Sequence, residues 1–233
     1  MISFSKIGAS NNVSGYVDST YPWRIYDAWG DVDKAKVDDV WKADEWTVTA
    51  TGTSPITASV LPGAVALITS GTSDFNGDEI QLVGTRFKLE ANKPVYFGAK
   101  LTINEATQSD LVVGLFGIDT TLTAASGTHA IAVGASGVGF TKLDAVTAGY
   151  FKTITTATEK NSASALTMDT DAHIYEIVWD GESLKGYVDG ELIACFTEDI
   201  PTAVLTPSIA FRTGSDAAKT CTIHWVRAFG VRS

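Results

Sequence analysis

The side chains that could do chemistry in this chain are few and scattered. Three histidines, His129, His173 and His224, and two cysteines, Cys195 and Cys221, are spread over 233 residues. Nucleophilic catalysis needs a Ser or Cys beside a His that a carboxylate orients. No Gly-x-Ser-x-Gly elbow occurs, and Gly134-Ala135-Ser136-Gly137-Val138 has the wrong spacing. His173 and His224 fall in alternating segments, where a His is usually a packed or half-exposed ladder residue. Glycoside hydrolysis needs two carboxylates on one face of a cleft. Asp78-Glu79 is followed by apolar Ile80, Leu82 and Val83, and Glu176 has only Ile174 and Val178 on its own face. Glu182, Asp189 and Glu191 fall in turns. These residues predict no catalytic set, so the chain is expected not to be an enzyme.

Metal chemistry fares no better. Asp74-Phe75-Asn76-Gly77-Asp78-Glu79 offers hard oxygens suited to Ca²⁺, but its Gly comes one place early for an EF-hand and the distant bidentate Glu is missing. It reads as an Asx-type turn entering a strand, as does Asp169-Thr170-Asp171. No His/Cys cluster has zinc spacing. The two cysteines read as buried free thiols in strands rather than as a disulfide. No cofactor and no metal are expected.

The elements that would position these residues are strands. The run from Trp46 to Thr51 alternates, and 64–69, 79–82, 85–89, 95–103, 111–118, 130–135, 138–143 and 150–155 follow as strand candidates. The clearest is His173–Trp179, with His173, Tyr175, Ile177 and Trp179 on one face. Segments 184–188, 192–197, 206–212 and 222–230 complete the set; in the last, Ile223, Trp225 and Arg227 are expected to alternate with His224 and Val226. Asp189-Gly190 is a two-residue hairpin signal, and Asp180-Gly181-Glu182-Ser183 marks a longer turn. The aromatics Tyr175, Trp179 and Tyr187 are expected in the core. So many short strands joined by turns predict an all-β, two-sheet antiparallel sandwich.

Residues 1–45 differ from 46–233. Four of the six Trp lie between Tyr21 and Trp46, with Tyr21 and Tyr26 beside them. The segment is expected to be an N-terminal extended arm with one short helix around 32–42. Tyr21, Trp23, Tyr26 and Trp29 are the candidate partner-binding residues, because dense apolar surface marks interaction sites.

Charge and composition exclude other classes. A net charge of −10 repels phosphate backbones, so nucleic acid is not expected as a partner. No run of about 18 apolar residues occurs, so no helical membrane span is expected. The first residues contain no apolar h-region, which predicts synthesis in the cytoplasm without a signal peptide.

The run His173-x-Tyr175-x-Ile177-x-Trp179-Asp180-Gly181, followed by Gly186-Tyr187-Val188-Asp189-Gly190-Glu191-Leu192, resembles a segment of concanavalin A-like lectin/glucanase domains, including laminin G-like ones. The resemblance implies a jelly roll of two curved antiparallel sheets, and Cys221–Phe229 resembles its closing strand, which lies near the N-terminal strand. The hydrolase motif of that group, Glu-x-Asp-x-x-Glu or Glu-x-Asp-x-Glu, is absent. The Thr-, Ser-, Ala- and Gly-rich loops are similar in texture to tailed-bacteriophage structural proteins. That second resemblance implies a virion protein made in the host cytoplasm: a capsid decoration (cement) protein on the capsid surface, bound to the major capsid protein through its arm and self-associated as a homo-oligomer. The alternative is a carbohydrate-binding lectin-like module of a tail fibre or cell surface, with weak glycan binding in its loops.

Overall fold

A computed structural model describes residues 23–27, 46–58, 66–84, 87–118, 122–123, 135–155 and 158–231, with only the main chain of 23–27, 58 and 231. In chain order the described strands are β1 (Trp23–Asp27), β2 (Trp46–Thr51), β3 (Ile56–Ala58), β4 (Ala66–Thr69), β5 (Gly77–Leu82), β6 (Val95–Ile103), β7 (Ser109–Phe116) and β8 (Gly137–Lys142). They continue as β9 (Ala148–Ile154), β10 (Glu159–Asn161), β11 (Leu166–Thr167), β12 (His173–Trp179), β13 (Leu184–Val188), β14 (Glu191–Phe196), β15 (Thr206–Thr213) and β16 (Thr220–Val231). The first sheet runs β14-β13-β12-β6-β16-β4-β3, with β1 also on β16. The second runs β10-β9-β8-β7-β15-β5-β2, with β11 also on β9. Every pairing is antiparallel, and the described residues contain no helix. The fold is the all-β, two-sheet jelly-roll sandwich expected from the alternation.

Alternation builds the core between the sheets. From the first sheet come Phe97, Ala99 and Leu101 on β6, Tyr175, Ile177 and Trp179 on β12, and Ile223, Val226 and Ala228 on β16. From the second come Ile80, Leu111, Val113, Phe140, Ile209 and Phe211. Trp179 keeps its indole N–H satisfied by donating to the Glu90 carbonyl at 2.8 Å, which lets so large a ring be buried. Asp189 and Gly190 both have positive φ (51° and 83°), the geometry of a two-residue type I′ hairpin that the Asp-Gly pair favours. In the preceding turn the Asp180 carboxylate accepts from the N–H groups of Glu182 (3.0 Å) and Ser183 (2.7 Å) and from Lys185 (2.6 Å). Burial works against its charge, but those donors hold its carboxyl well below the usual range.

Several expectations need correction. Residues 87–90 make only isolated bridges, Phe87 to Leu205 and Glu90 to Lys93, although Phe87 and Leu89 are buried. The 222–230 segment does not alternate throughout. Its register on β6 slips between Ile223↔Leu101 and Trp225↔Lys100, so His224 is an extra residue. The bulge turns Trp225 and Arg227 outward and Val226 and Ala228 inward. Cys221 is buried, and burial pushes its thiol up to about 12, but Cys195 is exposed on the edge strand β14. Tyr187 is half-buried on the outward face and not in the main core. The helix expected around 32–42 lies outside the described residues, as do positions 130–134 of the strand expected at 130–135.

Candidate functional site: the outward face of the second sheet

On β5 the core takes Ile80 and Leu82, which sends Glu79 and Gln81 to the opposite face. On β15 the core takes Ile209 and Phe211, which sends Ser208 and Arg212 outward. On β7 the core takes Leu111, Val113 and Leu115, which sends Asp110, Val112 and Phe116 outward. Register aligns these residues in rows. One row runs Thr49, Glu79, Ala210, Val112, Thr141, Tyr150 from β2 to β9. The next runs Thr47, Gln81, Ser208, Gly114, Gly139, Lys152, Asn161.

One half of this face is a closed ionic network. Arg212 Nη2 lies 3.0 Å from Glu79 Oε1, and the two side chains are 4% and 1% exposed, so the pair is desolvated. The Glu79 carboxylate also accepts from Leu122 N–H (2.8 Å), Thr123 N–H (2.7 Å) and the Thr123 hydroxyl. It thereby ties residues 122–123 across the sheet. Gln81 donates to the Gly117 carbonyl (3.0 Å) and to Ser208 Oγ (2.9 Å). Asp110, opposite Arg212, accepts from Asp144 N–H at 2.7 Å, yet burial pushes its carboxyl up to about 6. On the neighbouring core-facing position, Asp78 is buried with Ser54 Oγ donating to it at 3.0 Å, and burial again pushes it up to about 6.

The middle of the face is filled. A Cβ on Gly139 would stand 2.8 Å from the Phe116 ring, so glycine there lets that ring lie flat on the sheet. Leu122, Ala135 and Ile154 pack with it. At the far end the face opens: Tyr150 and Lys152 on β9 are half-buried, Lys152 pairs with Glu159 at 2.5 Å, and Asn161 is exposed beside them. An aromatic ring flanked by a cation, a carboxylate and an amide can stack on a sugar ring and hydrogen-bond its hydroxyls. Near the β7 end, Lys142 is buried with its ammonium donating to the carbonyls of Thr107 (3.1 Å), Ser109 and Leu143 (2.7 Å). Burial pulls its pKa down to about 8.

The residues singled out in the sequence are placed as follows. The main chain of Trp23–Asp27 forms β1 and pairs with β16, Trp23 opposite Val231 and Tyr26 opposite Ala228. Part of the segment expected to be an arm is thus a sandwich strand. Tyr21 and Trp29 lie outside the described residues. The oxygens of Asp74–Glu79 do not converge. Asp74 accepts from Phe75 N–H, Asp78 binds Ser54, and Glu79 turns outward to Arg212. Among the described residues no group of three or more His, Cys, Asp or Glu could hold a metal ion. Sequence reasoning missed the Glu79, Gln81, Arg212 and Asp110 set. The signal was present as polar residues at even spacing on one face of each strand, Glu79 and Gln81 on β5 and Ser208 and Arg212 on β15.

No protein family and no curated protein matches the sequence. Solved structures share its fold. One is described with the endo-acting O-glycanases that human gut microbiota express to initiate mucin breakdown (11% identity, TM-score 0.60, covering 90% of this chain and 99% of that one). Another is the Emp47p carbohydrate recognition domain (11%, TM-score 0.57, 81% and 90%). A third is the alginate lyase AlgAT5 of polysaccharide lyase family 7 (12%, TM-score 0.52, 76% and 82%). These likenesses establish the concanavalin A-like jelly-roll fold. They also correct the expectation that the chain is not an enzyme. The same sandwich carries a glycanase and a lyase, so the absence of one hydrolase's carboxylate motif does not exclude catalysis.

Proposed function

We propose that this protein is a carbohydrate-binding β-sandwich that holds a glycan on the open end of the outward face of its second sheet. The observation that carries the reading is the half-buried Tyr150 beside Lys152, Glu159 and Asn161, at the margin of a sheet face whose other half is a fixed ionic network. The network supplies a rigid base, and the open margin supplies a stacking ring with donors and acceptors. The fold it shares with a carbohydrate recognition domain supports the same reading. A glycan array with and without Ca²⁺ tests it, followed by titration of any hit against Tyr150→Ala. Selective binding that the variant loses while its far-UV spectrum stays unchanged is expected. No binding to any glycan by folded protein would refute it.

A second reading is a virion decoration protein that clamps a major capsid protein through Tyr21, Trp23, Tyr26 and Trp29 and self-associates on the capsid surface. The observation that favours keeping it is the density of Trp and Tyr from Tyr21 to Trp29, since concentrated apolar surface marks interaction sites. Mass spectrometry of purified particles tests it. Presence of the chain, and loss of particle binding on deletion of residues 1–30, are the expected results.

A further inference from the structure

We propose that His173 is a proton-operated latch that fastens the β11–β12 crossover to the β13–β14 hairpin, closed when both ring nitrogens carry protons and released when one proton leaves. The geometry requires it. His173 Nδ1 lies 2.6 Å from Asp189 Oδ2, and Nε2 lies 2.8 Å from Asp169 Oδ1. A neutral imidazole donates from one nitrogen only, so its other nitrogen would face a carboxylate lone pair to lone pair. With both carboxylates ionised, the two contacts coexist only in the imidazolium.

The two carboxylates are not held equally. Asp189 Oδ1 also accepts from Ile174 N–H (2.8 Å), and Asp189 N–H donates to the Ile174 carbonyl (2.9 Å), which keeps it at the hairpin turn. Asp169 has a 52% exposed side chain and accepts also from Asp171 N–H at 2.7 Å. Deprotonation therefore releases Asp169 first. The crossover it frees joins the two sheets, because β11 pairs with β9 in the second and β12 with β6 in the first. Met168 remains anchored, buried and bonded through its N–H to the Thr147 carbonyl at 2.8 Å.

The groups around the ring favour its charge. Asp169 faces it from the crossover and Asp189 from the hairpin. Tyr175 meets it edge-on on its own strand, with centroids 6.4 Å apart, and β6 places Leu101 opposite. Burial alone would lower the histidine's pKa, but the two carboxylates hold it above its ordinary value. The latch contributes its full stability below the unfolded histidine range and loses it as pH rises through the raised folded value. It operates whether or not the sandwich binds a glycan.

Nitrogen–proton correlation of the imidazoles in the full chain, from about pH 5 to about pH 9 across the histidine range, reads the latch directly. His173→Gln assigns the resonance. The His173 midpoint is expected above the ordinary value. Hydrogen exchange at the Asp171 amide, corrected for intrinsic rate, is expected to rise severalfold as His173 deprotonates while the Ile174 amide stays protected. Asp169→Asn should lower the midpoint and remove the coupled change at Asp171. A midpoint at or below the ordinary value, or Asp171 exchange that ignores the titration of His173, would overturn the proposal.

Discussion

Both sheets of the sandwich bury side chains on their outward faces, and the second sets a desolvated ion pair beside its apolar cluster. On the first sheet Tyr96 and Phe229 stack with centroids 4.6 Å apart, Val178 and Tyr187 pack around them, and Tyr96 donates its hydroxyl to Glu176 at 2.8 Å. That face carries a small aromatic core tied to Glu176 through the Tyr96 hydroxyl. On the second sheet an apolar cluster of Val112, Phe116, Leu122, Ala135, Ile154 and Ala210 fills the middle, and Glu79, Arg212, Gln81 and Asp110 are buried beside it. Apolar burial is favourable roughly in proportion to area, and it needs no particular partner. A buried charge is tolerated only while its partner stays in place. The ionic half of the second face is therefore the more specific region and the more vulnerable to single changes.

The largest effect that would break this contrast is the loss of one member of the ion pair. Arg212→Ala leaves Glu79 buried without its cation and should cost about 3–5 kcal/mol in chemical denaturation. A cost near that of a surface substitution would show that the face is solvated. Next comes the aromatic face. Tyr96→Ala should cost about 3 kcal/mol, as for other large buried aromatics, whereas Tyr96→Phe should cost only the hydroxyl bond to Glu176, about 1 kcal/mol. Equal costs for the two variants would mean that the ring packing contributes little.

A smaller effect is expected from pH. Asp78 and Asp110, both pushed up to about 6, bind protons more tightly in the folded than in the unfolded chain. Their contribution to stability is complete below the ordinary carboxyl range near pH 4 and is lost as pH rises through about 6. Urea midpoints should fall over that window, and Asp110→Asn should flatten the fall. A midpoint that rises there in the wild type and is untouched by the variant would contradict the assignment.

The two faces also differ in how far they can be read in the sequence. The inward faces are legible because period two is a strong signal. His173–Trp179 and the Asp189-Gly190 turn specify a strand and a hairpin almost without context. Glu79 and Gln81 follow the same period but escape notice, because a search for hydrolase carboxylates looks within one strand. The set that matters is assembled across β5, β15 and β7, and register between strands distant in sequence is not visible in any single window. The bulge at His224 hides the outward turn of Trp225 and Arg227 for a related reason: one extra residue inverts every side chain after it. Tyr187 reads as a core residue because a half-buried outward ring and a core ring have the same local pattern.

The proposed function is recognition of a carbohydrate by the open margin of the polar face, at Tyr150 and Lys152. Its most direct test is calorimetric titration of an array-selected glycan into the wild type and into Tyr150→Ala, each shown to be folded. Saturable heat in the wild type that vanishes in the variant is predicted. Undiminished binding by Tyr150→Ala would place the glycan elsewhere on the sandwich and contradict the account.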